Sequence, residues 1–107
     1  MNVITNNNIK CTIALAALET VTDPEIGLNV VDLGLIYQLD FDEARKKIYV
    51  TMTLTTQFCP MGESITAAVK RGLEKTFDGE TVSLEISFDP PWNYERISEE
   101  GKQFLNR

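Results

Sequence analysis

The sequence contains no histidine and only two cysteines, Cys11 and Cys59. Histidine is the usual base at neutral pH and the commonest metal ligand, so its absence argues against most hydrolase mechanisms and against ordinary zinc sites. Two cysteines could form one disulfide, but a cytosolic chain that can build an apolar core has little need of it. We therefore expect both thiols to be free.

Long apolar segments and an excess of basic residues are also missing. No stretch approaches the roughly 18 apolar residues of a membrane-spanning helix, and the first eight residues lack the features of a signal peptide. The 10 basic residues are outnumbered by 16 acidic ones, and the net charge of −6 would repel a phosphate backbone. We expect a cytoplasmic protein that binds neither membranes nor nucleic acid.

The 107 residues, of which 43% are apolar and 24% charged, are enough for one folded domain spanning 1–107. Hydrophobic periodicity and turn residues predict helices and strands along the whole chain. The predicted helices cover 9–21, 65–77 and 98–105, and the predicted strands cover 35–41, 48–55 and 82–88. The predicted fold is a small α+β two-layer sandwich of order α-β-β-α-β-α, with the helices packed on one face of a three-stranded sheet.

Cys59 is the cysteine whose surroundings favour reactivity. It lies between the end of a predicted strand and the start of a predicted helix, and Pro60 already holds the backbone dihedral that a first helical turn prefers. The unpaired amides and partial positive charge of a helix N-terminus favour a thiolate, which is a better nucleophile and metal ligand than a thiol. Cys11 lies among apolar residues of the first predicted helix, where packing is its expected role.

Four further residues are candidates for the same site. Thr55 and Thr56 come at the end of the second predicted strand, where their hydroxyls could donate hydrogen bonds to a sulfur or an anionic ligand. Asp23 and Glu25 flank a proline and could ligand iron or orient a partner. The same Asp-Pro-Glu sequence is as often a turn in which Asp23 satisfies backbone amides, and both interpretations stay open.

Hairpin pairing would bring these residues together. A turn symmetric about its middle places Phe41 opposite Ile48 and Leu35 close to Leu54 or Thr55. We therefore expect Asp23 or Glu25 to line the same surface cleft as Cys59, with Thr55 or Thr56 between them. Further along, the prolines of Asp89-Pro90-Pro91-Trp92 end the third strand, and Trp92 either displays its indole to a partner or folds back over the sheet edge.

Four short motifs follow one another along almost the whole chain: Asp23-Pro24-Glu25, Val31-Asp32-Leu33-Gly34-Leu35-Ile36-Tyr37, Thr55 to Pro60, and Asp89-Pro90-Pro91-Trp92. Together they resemble the metal-sulfur cluster biosynthetic family, the PaaD-like and SufT-like group. The resemblance implies a compact α+β domain that matures iron-sulfur proteins. The resemblance also implies that the functional site contains Asp23, Glu25, Thr55, Thr56 and Cys59. No cysteine follows Cys59, which favours a general cluster assembly or targeting role over one in phenylacetate catabolism.

The resulting hypothesis is a maturation factor, not an enzyme, that assists cluster assembly, transfer or targeting to client proteins through Cys59. One plausible thiolate cannot hold a cluster alone, so we expect transient iron or cluster contact at Cys59, completed by a homodimer or by a client or assembly protein. No permanently bound cofactor is expected. Two alternatives stay open: a thiol-dependent transferase or reductase with Cys59 as its nucleophile, and an adaptor without cysteine chemistry.

We expect the thiol pKa of Cys59 to lie below the ~8.5 of a free cysteine, because a helix N-terminus stabilises the thiolate. The measurement is the rate of alkylation of Cys59 as a function of pH. A thiol that titrates at or above the value of free cysteine would show that the proposed activation is absent.

Overall fold

The computed structural model describes residues 3–55 and 62–106. In chain order the elements are β1 (Ile4–Thr5), α1 (Asn8–Leu18), β2 (Ile36–Asp42), β3 (Lys47–Met52), α2 (Gly62–Thr76), β4 (Thr81–Ile86), a 3₁₀ helix (Tyr94–Arg96) and α3 (Glu99–Leu105). The strands form one mixed sheet in the order β1-β2-β3-β4. The central pair β2 and β3 is antiparallel, whereas β1 runs parallel to β2 and β4 runs parallel to β3.

The α+β class is confirmed, but the predicted three-stranded sheet and the order α-β-β-α-β-α are wrong. The additional strand is β1, in which Ile4 and Thr5 lie opposite Gln38 and Leu39. Two residues are too few to show an alternation in the sequence. Asn6 holds the strand in place from its end, because its side chain donates to the carbonyl of Phe41 at 3.0 Å and accepts from the amide of Phe41 at 2.9 Å.

The apolar core lies between one face of the sheet and the helices α1 and α2. The buried side chains that meet there are Leu39, Phe41, Ile48, Val50, Met52 and Val82 from the sheet, Ala14 and Leu18 from α1, and Ile65, Val69 and Leu73 from α2. The first helix ends at Leu18, earlier than the predicted residue 21, because Val21 leaves the helix and accepts a hydrogen bond from the Val30 amide at 2.9 Å.

A β-bulge at Tyr37 sets the register at the start of the hairpin. Phe41 lies opposite Ile48 as predicted, but the pairing shifts by one residue between Ile36 and Gln38. An extra residue in one strand moves every residue beyond it along the partner strand. Leu35 therefore accepts a hydrogen bond from the Thr53 amide at 2.8 Å. Leu35 was predicted to lie close to Leu54 or Thr55, and the shift places its hydrogen-bond partner one residue before Leu54.

The C-terminal segment packs against the residues that lead into β2. The indole nitrogen of Trp92 donates to the carbonyl of Leu33 at 2.6 Å, and the hydroxyl of Tyr37 donates to the carbonyl of Pro90 at 2.7 Å. The guanidinium of Arg96 lies 4.1 Å from the centre of the Tyr37 ring, which is a cation–π contact. Trp92 is therefore half-buried and packed against the core beside the loop before β2.

Ser98 links the last helix to the same region. Its side chain accepts from the amide of Gly101 at 3.0 Å, which caps α3, and donates to a carboxylate oxygen of Asp32 at 2.8 Å. The predicted capping role of Ser98 is confirmed. Gly101 is buried, and a β-carbon there would lie 2.8 Å from a methyl group of Ile97 and 2.9 Å from a methyl group of Leu28.

Gly34→Ala should destabilise the fold more than Gly79→Ala. Both glycines have positive φ, 73° and 86°, but a β-carbon on Gly34 would collide with the Arg96 backbone whereas nothing lies within 4 Å at Gly79. We expect Gly79→Ala to cost about 1–2 kcal/mol from backbone conformation alone, and Gly34→Ala at least about 1 kcal/mol more. Urea denaturation measures the free energy of unfolding of both variants. Equal losses in that free energy would mean that the C-terminal segment moves to accommodate the methyl group at residue 34 without an energetic penalty.

Candidate functional site

Asp23 shapes the loop between α1 and β2. Its amide donates to the carbonyl of Leu28 at 3.0 Å, and its carbonyl accepts from the amide of Gly27 at 2.7 Å. The side chain is only 2% exposed, and its Oδ1 accepts from the amide of Glu25 at 2.9 Å. These contacts are those of a side chain that satisfies a turn. Glu25, in contrast, is exposed to solvent.

The Asp23 loop borders the first turn of α2. Between them lies a groove of about 370 Å³ lined by Thr20, Val21, Thr22, Pro24, Ser64, Ile65, Ala68, Arg71 and Gly72. The start of α2 also lies against the segment after β3, since a β-carbon on Gly62 would lie 2.9 Å from a methyl group of Leu54. Three segments thus meet at one end of the domain: the Asp23 loop, the start of α2 and the residues that follow β3.

The predicted site residues fall into two groups. Asp23, Glu25 and Thr55 are described, and Thr55 is half-buried next to Leu54. Cys59 and Thr56 lie outside the described residues, in the connection between Thr55 and Gly62. The shared cleft of Cys59 with Asp23 or Glu25 therefore stays a prediction. What the structure does show is that Pro24, between the two carboxylates, faces the groove beside α2.

Cys11 is a free thiol that is 5% exposed. Burial raises the pKa of the Cys11 thiol above its usual value, and a hydrogen bond with the Thr5 side chain lowers it in part. Cys11 is thus biased toward the protonated form, which neither attacks nor ligands well.

The described residues contain neither a cluster of metal-ligating side chains nor a membrane-spanning helix. Across 3–55 and 62–106, no group of three Cys, Asp or Glu side chains could hold a metal ion. Within the same ranges, no helix has the length and apolarity needed to cross a lipid bilayer.

Two features of the structure were not predicted from the sequence. Ser64, Ala68 and Arg71 line the groove at spacings of four and three residues, a helical pattern that was visible once α2 had been assigned. The second feature is Asp32, which bonds Asn29 at 2.7 Å through one carboxylate oxygen and Ser98 through the other. That network depends on a contact between distant parts of the chain, so local sequence gave no signal for it.

Residues 13–86 match the model of a protein family described as iron-sulfur cluster assembly protein. The chain belongs to this family. A relative from Bacillus subtilis (strain 168), named Fe-S protein maturation auxiliary factor YitW, is 38% identical over 88 residues, which cover 82% of this chain and 85% of the relative. A second, from Staphylococcus aureus (strain USA300), named Fe-S protein maturation auxiliary factor SufT, is 37% identical over 82 residues, with coverage of 77% and 92%.

A solved structure agrees with the fold as well as with the family. The crystal structure of a domain of unknown function, DUF59, from Bacillus anthracis superposes with a TM-score of 0.83 at 33% sequence identity. The match covers 94% of this chain and 98% of that one. The SufT-like assignment made from the four motifs is confirmed by the family model and by these relatives.

Asp23→Ala should destabilise the domain, because it removes the side-chain acceptor of the Glu25 amide and leaves space in a buried loop. The expected loss in the free energy of unfolding is about 1–3 kcal/mol. Asp23→Asn keeps a side-chain oxygen in the same place and is the matched control, with a smaller expected loss. Chemical denaturation of both variants measures the difference. Wild-type stability of Asp23→Ala would rule out the turn-stabilising role.

Proposed function

We propose that this protein is an iron-sulfur protein maturation factor that transfers or directs clusters to client proteins, with Cys59 contacting the cluster or a client sulfur. The supporting observation is the family match over residues 13–86, together with relatives named Fe-S protein maturation auxiliary factors. The cluster is cargo in this proposal and not a resident cofactor.

The described geometry supports a site at the end of the domain where three segments meet. Glu25 offers an exposed carboxylate there, on a loop whose shape Asp23 maintains from within. Thr55 and Gly62 are the described residues on either side of the connection that contains Cys59. In the proposal, Thr55 and Thr56 donate hydrogen bonds to the bound sulfur, and Glu25 orients iron or the client.

The ligand set argues for transient contact. An iron-sulfur cluster is held by several thiolates or their substitutes. The only other cysteine, Cys11, is buried, and its raised pKa favours the thiol over the ligating thiolate. The remaining ligands must therefore come from a client, an assembly protein or a second copy.

Cluster loading of an apo-client under anaerobic conditions tests the role of Cys59. We expect Cys59→Ser to reduce the loading rate to that measured without the factor. Cys11→Ala removes the other thiol and is the matched control, with wild-type loading expected. Asp23→Asn tests whether the Asp23 charge is needed beyond its role in the loop.

The outcomes separate the alternatives. Full loading by Cys59→Ser would contradict the proposal and favour an adaptor that docks clients without cysteine chemistry. Native mass spectrometry of the reconstituted protein supplies a second readout, with cluster expected only on complexes with a client or a second copy. A cluster retained by the monomer without added thiol would contradict the transient-contact proposal.

A further inference from the structure

The strand β4 forms one of the two edges of the sheet, and the short strand β1 forms the other. Within the described part of the chain no strand lies beyond it, and it packs against β3 on one side and α2 on one face. Its register with β3 runs without a shift from Lys47 opposite Thr81 to Met52 opposite Ile86. Such a straight, unpaired edge can bind another strand through its backbone.

The backbone groups that face outward can be assigned from two hydrogen bonds. The amide of Thr81 donates to the carbonyl of Lys46, and the amide of Ser87 donates to the carbonyl of Met52, both at 2.9 Å. In a parallel ladder every second residue bonds to the same neighbouring strand. The amides and carbonyls of the intervening residues, Val82, Leu84 and Ile86, therefore point away from β3.

The edge lacks the usual protection against pairing. Natural edge strands are blunted by proline, lysine, bulges or short length. Between Thr81 and Ile86 there is no proline and no lysine, and Glu85 is the single charged residue. On the side that faces the helices, Val82 is 3% exposed, whereas Leu84 and Ile86 are only half-buried. A further strand beside β4 would cover these two side chains.

We propose that β4 pairs antiparallel with β4 of a second copy of this chain, about a two-fold axis at Leu84. In this register Leu84 lies opposite Leu84 of the partner subunit, and Val82 lies opposite Ile86 of the partner subunit. Ser83 lies opposite Glu85 of the partner subunit. The pairing joins the two four-stranded sheets into one continuous sheet.

A second copy fits because the strand is complementary to itself in this register. The residues with outward backbone groups pair with one another, apolar side chains face apolar side chains, and like charges are never directly opposite. An axis at Ser83 would place Ile86 opposite Glu80, and an axis at Glu85 would place Glu85 against itself. Because the chain has a net charge of −6, two copies repel each other, and a register that keeps their carboxylates apart reduces that repulsion.

The dimer has a consequence for the candidate site, although it does not rest on the proposed function. Each β3 runs parallel to its own β4, and the two β4 strands are antiparallel to each other. The C-terminal ends of β3 in the two copies therefore point in opposite directions in the joined sheet. The two Thr55 residues are then far apart, and each end of the dimer stays open to its own client.

Sedimentation equilibrium across a concentration series tests the proposal, with wild type expected to dimerise reversibly. Ser83→Glu places a carboxylate opposite Glu85 of the partner subunit twice per dimer and should weaken association by about tenfold. Thr81→Glu adds the same charge to the same exposed face of β4 but opposite Ser87 of the partner subunit, so it is the matched control with little effect. The double variant S83E/E85S exchanges the two side chains and should restore dimerisation.

Amide hydrogen exchange supplies an independent readout of register. Exchange at Leu84 and Ile86 should slow as protein concentration rises, whereas exchange at Ser83 and Glu85, which bond to β3, should not change. A monomer at every concentration would overturn the proposal and leave the edge open to a segment of another protein. Equal weakening by Ser83→Glu and Thr81→Glu, without rescue by the double variant, would overturn the register.

Discussion

The close approach of the Arg96 backbone to Gly34 is the contact on which the docking of the C-terminal segment depends. Because Gly34 has no β-carbon and adopts a positive φ, the C-terminal segment can lie directly against the loop that leads into β2. Trp92 and Ser98 then bond to Leu33 and Asp32, the residues just before that glycine. A segment that is distant in sequence thereby fixes the start of the central hairpin.

The contacts between the C-terminal segment and the loop before β2 also affect the residues next to the candidate site. Leu35, the residue after Gly34, accepts the hydrogen bond of Thr53, so the path of the chain beyond β3 depends on the loop that the tail supports. The same loop continues back to Asp23, whose buried carboxylate maintains the turn that presents Glu25. The C-terminal segment therefore stabilises the site through the loop before β2, because none of these hydrogen bonds reaches the Asp23 turn itself. The effect of a substitution in this segment should be interpreted first as a change in loop geometry.

The chemistry of the two cysteines differs because of where the fold puts Cys11. A thiol among apolar side chains is stabilised in its protonated form, so burial makes Cys11 a core residue. Of the two cysteines, Cys59 is therefore the one to which the proposed function assigns contact with a cluster. In the proposed dimer, the acidic charge of the chain limits the register of β4, since a self-pairing strand must keep its carboxylates apart.

Local patterns in the sequence determined much of the fold. The alternation in the three main strands, the amphipathic spacing of α2, the Phe41–Ile48 pairing and the Ser98 cap are each set by neighbouring residues, so they could be predicted. The four motifs together also indicated the family and the candidate residues.

Tertiary contacts decided the rest. β1 exists because Asn6 bonds to Phe41, the bulge at Tyr37 accompanies packing against Pro90 and Arg96, and Trp92 is held by Leu33. Asp23 is buried by a loop that closes on itself through Leu28. Each of these features depends on a contact whose energy local sequence does not report, because the partner lies elsewhere in the chain until folding brings it close.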